Sequence, residues 1–328
     1  MTVLCYGFAL WDLLADQIGV PRDQVQSWTP YPGGAGLNVA CHLGRLGVET
    51  ALLGAVGCDD WGDRVLQVIQ AHRVCPALMQ RLPYPTRLVE VLRRTDGERE
   101  FAGFRPPDCP AFADEFIRFR PPAQPPQCLY IEGVVLAFPE SRATAFALVE
   151  WASARGVITL LDVNWRPTLW TEERLARSVT QTLVQQVTAV KATAEEARWL
   201  WGTADPRAIA GQCPHLQVIL VTQGAQGCTY WVGPHQGHCP AFPVQAVDTT
   251  GAGDAFVAGW LHQWVTWGNR LIQEAGCLQQ ALRWANAVAA ISTTAPGAIT
   301  QAPSPAVVQR FLARYVGEPT SSPRRLTE

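Results

Sequence analysis

Lysine is almost absent from this chain. Of its 26 basic residues, 25 are Arg and one, Lys191, is Lys. A P-loop needs a Lys after a glycine-rich turn and before Ser or Thr. Lys191 lies in V-T-A-V-K-A-T with no glycine nearby, so P-loop chemistry is excluded. A pyridoxal-phosphate or Schiff-base enzyme would have to use that same residue, and nothing else in the sequence supports one. Charge is scarce too: 16% of the 328 residues are charged and the net charge is −2, against about 25% in average proteins. That leaves no basic field to hold nucleic acid. The ten cysteines form no C-x-x-C pair. The Cys/His clusters Cys213-x-His215 and His235…His238-Cys239 lack the paired spacing of a zinc site. Scattered thiols suit a reducing cytosol. There is no basic-then-apolar leader, and no apolar run approaches about 18 residues. A soluble cytoplasmic protein without a membrane partner is expected.

Apolar residues are plentiful, at 48%. Short apolar runs (Val3–Leu10, Ala51–Val56, Cys128–Glu132, Val157–Leu161, Val187–Val190, Gln217–Val221) read as buried strands. Between them lie helical stretches such as Asn38–Leu46, Gly62–His72, Arg142–Ala154, Glu195–Trp201 and Gly253–Trp267. The alternation predicts a parallel sheet covered on both faces. Two pieces break it. Leu14–Tyr31 is polar and turn-rich, and Thr86–Phe104 reads as two strands joined by Asp96-Gly97, a hairpin signal. They are expected to form a β-lid (residues 14–31 and 86–104) inserted into an α/β core (1–13, 32–85 and 105–316). The Pro-rich run Arg105–Gln127 is expected to be a hinge loop, and residues 317–328 a disordered tail.

Two glycine turns each open a helix. The first is Asp248-Thr249-Thr250-Gly251-Ala252-Gly253-Asp254. A helix start offers unpaired N–H groups and the positive end of the dipole, and small residues let an anion come close. Amides that hold a phosphate beside the Asp254 carboxylate suggest phosphoryl transfer with a carboxylate base. An ordinary N-cap Asp would look the same. The second turn is Gly33-Gly34-Ala35-Gly36-Leu37-Asn38. It does not fit G-x-G-x-x-G, so a Rossmann reading fails. Asn38 offers an amide that can bond sugar hydroxyls as donor and acceptor, or cap the backbone.

Taken together, and with their spacing, the two segments resemble the signatures of the PfkB, or ribokinase-like, carbohydrate kinases. Other landmarks follow in order: Gly7…Asp12, Gly57-x-Asp59-x-x-Gly62, Asp162-x-Asn164-x-Arg166, Thr222-x-Gly224-x-x-Gly227, and Asn286 before Gly297-Ala298. The resemblance runs to about residue 315. It implies a three-layer αβα sandwich with a mostly parallel central sheet and a β-sheet lid.

The resemblance also implies roles. Asp254 is the general base, and the amides of Gly251, Ala252 and Gly253 form the anion hole. Asp12, Gly33, Gly34 and Asn38 bind the sugar, and Arg105 at the end of the hairpin is a candidate to reach over it. V-K-A-T-A-E-E resembles the family's K-x-N-x-x-E, with Thr193 in place of Asn. Glu196, or its neighbour Glu195, would organise Mg2+ through water, and Lys191 would lie near the nucleotide phosphates. Thr222, Gly224, Gly227 and Asn286 would hold ATP. Asp248 and Thr250 sit where some members bind a monovalent cation, so K+ is a candidate cofactor. Asp162-x-Asn164-x-Arg166 with Leu169-Trp170 looks most like the fructokinase branch, with Arg166 facing the phosphates, while Glu132 departs from that branch's polar pattern. The expected activity is ATP-dependent phosphorylation of a sugar, fructose first. Ribose, a ketodeoxy sugar acid (through Arg105) and a nucleoside (through Phe101 and Phe104) stay open, as does a non-catalytic sugar-binding regulator. A homodimer through the lid is the default assembly.

Overall fold

The computed structural model describes residues 1–95 and 99–315. From the N-terminus, β1 (Val3–Tyr6), β2 (Leu10–Ile18) and β3 (Trp28–Gly33) lead into α1 (Ala35–Arg45). Next come β4 (Thr50–Leu53), β5 (Ala55–Gly57), α2 (Asp60–Ala71), β6 (Gln80–Leu82), β7 (Leu88–Arg93), β8 (Arg99–Arg105) and β9 (Cys128–Glu132). The middle of the chain holds α3 (Pro139–Ser153), β10 (Ile158–Asp162), α4 (Glu173–Val184), β11 (Ala189–Thr193), α5 (Ala194–Trp201) and α6 (Pro206–Gln212). The rest holds β12 (Val218–Thr222), β13 (Cys228–Val232), β14 (His235–Cys239), α7 (Ala252–Trp267), the one-turn α8 (Arg270–Gln273), α9 (Ala275–Ser292) and α10 (Pro305–Ala313).

Eight strands form the main sheet in the order β14-β13-β12-β11-β10-β9-β1-β4. All neighbours from β4 to β12 pair in parallel, and β13 and β14 add an antiparallel edge. The parallel strands are apolar on both faces because both faces are covered. Leu37, Val65, Phe256 and Leu278 bring α1, α2, α7 and α9 onto one face, and Leu148, Leu183, Leu200 and Ile209 bring α3, α4, α5 and α6 onto the other. The result is a three-layer αβα sandwich. Local signals set the helix ends. Asp59 caps α2 by accepting from the Gly62 amide at 2.8 Å, and Thr193 with Glu196 forms a capping box on α5.

A second, four-stranded sheet has the order β3-β2-β7-β8. Three readings of the sequence change here. Val3–Leu10 is not one strand: β1 stops at Tyr6 and β2 starts at Leu10 in the other sheet. The crossing is pinned by the Gly7 amide donating to Leu53 O at 3.3 Å and the Phe8 amide donating to Glu132 Oε2 at 2.8 Å. Leu14–Tyr31 is not mainly turn, because it contains most of β2 and part of β3. Ala51–Val56 divides at Gly54 between the main sheet and a two-stranded pair, β5 with β6. The Asp96-Gly97 turn and the tail from 317 lie outside the described residues.

Candidate active site

Strand register lines up three ionisable residues. Glu132 on β9 sits opposite Asp162 on β10, and Asp162 opposite Lys191 on β11. They share the sheet face that α1 and α7 cover, at the C-terminal ends of the parallel strands, where open α/β sheets build their sites. Lys191 Nζ bonds both Asp162 oxygens at 3.0 and 3.1 Å, with both side chains buried. Burial pushes the Asp162 carboxyl up, while the Lys191 ammonium pulls against it and is itself held protonated.

Above this row, α7 starts at Ala252. Its N-cap, Gly251, has φ +71°, and a Cβ there would stand 2.5 Å from Ala298 Cβ. Only glycine takes that conformation at little cost. The Ala252 amide donates to Thr249 O at 3.2 Å. The amides of Gly251, Gly253 and Asp254 have no protein acceptor among the described residues, as the first turn of a helix requires. Lys191 lies beneath them, since a Cβ on Gly253 would come within 3.0 Å of its Nζ. The positive charge therefore underlies this helix start without lining the cavity.

Asp254 accepts from Asn38 Nδ2 at 2.8 Å, which joins α7 to α1. Burial raises the Asp254 carboxyl above the usual range, opposed by the Asn38 bond and by Lys191 and Arg166. Asn38 Oδ1 and Thr250 Oγ1 are buried without a partner among the described residues. Both residues line a cavity of about 290 Å³, along with Asp12, Gly34, Glu132, Asn164, Arg166, Gly251 and Asp254. The small sheet closes its other side with Val89, Val91, Phe101 and Phe104. Asp12 pairs with Tyr31 across β2 and β3, and a Cβ on Gly33 would overlap its carboxylate. Gly34, with φ +92°, caps α1 against Phe8 O.

Glu132 belongs to the same site. Its carboxylate accepts from the amides of Phe8, Gly36 and Ala35 at 2.8, 2.9 and 3.3 Å, tying the chain after β1 to the start of α1. Burial pushes it up to about 8 against the pull of the Phe8 and Gly36 amides. The sequence signal was a charged residue ending an otherwise apolar strand, CLYIE. Arg87 is also in the cavity wall and had no signal of its own.

Other expected residues sit nearby or elsewhere. Glu196 accepts from the Thr193 amide at 2.8 Å and the Trp165 amide at 3.0 Å, so it joins the start of α5 to the loop after β10. Asp248 accepts from the amides of Thr250 and Gly297 at 2.9 and 2.7 Å. Gly224 and Gly227, both at positive φ, shape the turn between β12 and β13 beside Thr222. Asn286 donates to the Cys239 and Pro240 carbonyls, both at 3.2 Å, holding the segment after β14. Arg105 is bound to the buried Glu90, which also receives Arg22, and it does not line the cavity. Among the described residues no cluster of three His, Cys, Asp or Glu side chains could hold a metal by itself.

The geometry brings together a buried carboxylate, free amides at a helix start and an adjoining cavity with polar and apolar walls. Residues 2–305 match the model of the pfkB family carbohydrate kinases. The chain is 32% identical over 319 residues to fructokinase-1 of Zea mays, covering 95% of this chain and 98% of the relative. Its fold is similar to fructokinase with bound ATP from Xylella fastidiosa (TM-score 0.86, 28% identity, 96% of this chain and 98% of that one). It is also similar to fructokinase from Vibrio cholerae O395 bound to fructose, ADP and calcium (TM-score 0.83, 29% identity, 95% and 98%). Aminoimidazole riboside kinase from Salmonella enterica is a further neighbour (TM-score 0.80, 26% identity, 95% and 100%). The chain belongs to the pfkB family of carbohydrate kinases and is an ATP-dependent sugar kinase.

Proposed function

We propose that the protein transfers the γ-phosphoryl of ATP to a hydroxyl of fructose, with Asp254 taking the hydroxyl proton. The observation that carries this reading is Asp254, held by Asn38 in the cavity floor, beside free amides at the start of α7. Gly251 and Gly253 supply the anion hole, and the exposed Arg166 at the cavity adds positive charge. The Ala252 amide, engaged by Thr249, contributes less. Asp12, Gly33, Gly34 and Asn38 bind the sugar. The Thr222–Gly227 turn holds ATP, with Asn286 shaping its wall. Mg2+ carried by the phosphates would be met through water by Glu196, whose carboxylate keeps lone pairs beyond the two amides it accepts. When bound, the ion neutralises charge on the transferred group. Asp248 and Thr250 are the candidates for K+.

The small sheet acts as a lid that excludes water and as the surface through which two copies pair; sedimentation velocity tests the pairing. The free thiols, none bridged among the described residues, fit a cytoplasmic protein, and no described helix is long and apolar enough to cross a membrane. A ketodeoxy acid is disfavoured because Arg105 is engaged with Glu90. A riboside is the second reading, favoured by the apolar wall of Val89, Val91, Phe101 and Phe104. The test is ADP release over hexoses, pentoses, ketodeoxy acids and nucleosides, with and without potassium. Fructose should give the highest kcat/KM. A riboside ahead of it would install the second reading, and ADP from none of them would overturn both.

A further inference from the structure

Arg87 precedes β7, is 4% exposed and stands in the cavity wall. Its Nε donates to Asp114 at 2.9 and 3.1 Å, and its Nη2 donates to Asp114 and Glu115, both at 2.8 Å. Its guanidinium carbon lies 4.4–5.8 Å from the rings of Phe112, Phe104, Phe138 and Phe8. Two corners of the planar fork and its faces are thus occupied. Nη1 is the remaining corner, and it donates to no atom among the described residues. Nη1 is not itself fully buried, so this corner of the fork opens on the cavity. An oxygen of a bound ligand can accept its hydrogen there.

The surrounding charge restricts which oxygen. One guanidinium faces two carboxylates, so the Arg87–Asp114–Glu115 cluster carries −1. Of the other ionisable groups on the wall, Glu132, pushed up to about 8 by burial, is largely neutral near pH 7, which leaves Asp12 and Asp254 against Arg166. An anionic group brought to Arg87 would meet a negative field in a site of low dielectric, whereas a neutral hydroxyl or carbonyl oxygen accepts from Nη1 without that penalty. Resting on the sugar-kinase reading above, we propose that Arg87 is a specificity-determining residue. It donates from Nη1 to a neutral sugar oxygen other than the reacting hydroxyl, so that neutral sugars are admitted and sugar acids rejected.

The experiment compares kcat/KM for the best neutral sugar, each of its monodeoxy analogues and its sugar acids. It uses the wild type and the double variant Arg87→Gln/Asp114→Asn, which keeps the cluster charge at −1. In the wild type, one monodeoxy analogue should lose at least about tenfold, and the sugar acids should lose more. In the variant, KM for the sugar rises by a similar factor, KM for ATP stays, and the deficit of that one analogue disappears. Identical analogue ratios in the two proteins, or a sugar acid used by the wild type as well as the neutral sugar, would overturn the proposal. Should the variant not fold, the wild-type preference for neutral over acidic sugars decides alone. Absence of ADP from every sugar would sink the kinase reading instead. The same ligands would then be ranked by their shift of the melting temperature, where a sugar acid equal to its neutral parent still refutes the role of Arg87.

Discussion

Asp254 can accept a proton only when ionised. Burial raises its carboxyl and the Asn38 bond lowers it, so activity should fall as pH drops through a midpoint above the ordinary carboxylate range. Asn38→Ala removes the lowering contribution, and the acid limb of kcat/KM should therefore move to higher pH. The pH profile of the purified variant checks this, and an unmoved limb would separate Asn38 from the base. Residue types at this scale were readable where a motif surrounds them. Asp254, Asn38 and Gly251 sit in glycine turns whose chemistry is local. Arg87 was not readable, because its carboxylate partners Asp114 and Glu115 are 27 and 28 positions away and only the fold brings them together. Arg105 showed the converse. Its position suggested the cavity, but Glu90, a buried charge on the neighbouring strand, claims it.

At the scale of elements, the proposed chemistry depends on the start of α7, and the start of α7 depends on Gly251. Gly251→Ala would force a side chain into the left-handed region, at about 1–2 kcal/mol, and against Ala298. The melting temperature should fall by several degrees. Because the Gly251 and Gly253 amides shift with the turn, kcat should fall by about 10²–10³-fold, as for loss of one oxyanion donor. Differential scanning calorimetry with steady-state kinetics reads both, and normal kcat in the destabilised variant would argue against the anion hole. The parallel core strands were legible as apolar runs, since burial on both faces leaves little choice of residue. β2 was not. Its polar positions, Asp12 and Asp16, alternate with buried Trp11, Leu13 and Ala15, and Asp12 faces the cavity. The polar residues that made Leu14–Tyr31 look like a turn, Asp16 and Gln17 among them, lie past Asp12 on the part of β2 that does not line the cavity.

At the scale of the molecule, two sheets face each other across one cavity, with Asp254 and Glu132 on the core side and an apolar wall on the small sheet. Closing that wall over a sugar would remove water from Asp254 before ATP can be attacked by it. The radius of gyration, about 20 Å for a chain of this length, should fall when the sugar and a non-hydrolysable ATP analogue bind together. An unchanged small-angle scattering profile would count against closure. The three-layer architecture followed from the order of strands and helices, whereas the meeting of Glu132, Asp162 and Lys191 in one row needed the register of β9, β10 and β11. The most direct test of the whole account is the rate of ADP release with fructose by Asp254→Asn, a variant that keeps the side chain's shape and can still bond Asn38. The account predicts a loss of about 10²–10⁴-fold in kcat with fructose still bound. A folded variant that releases ADP at the wild-type rate would contradict it.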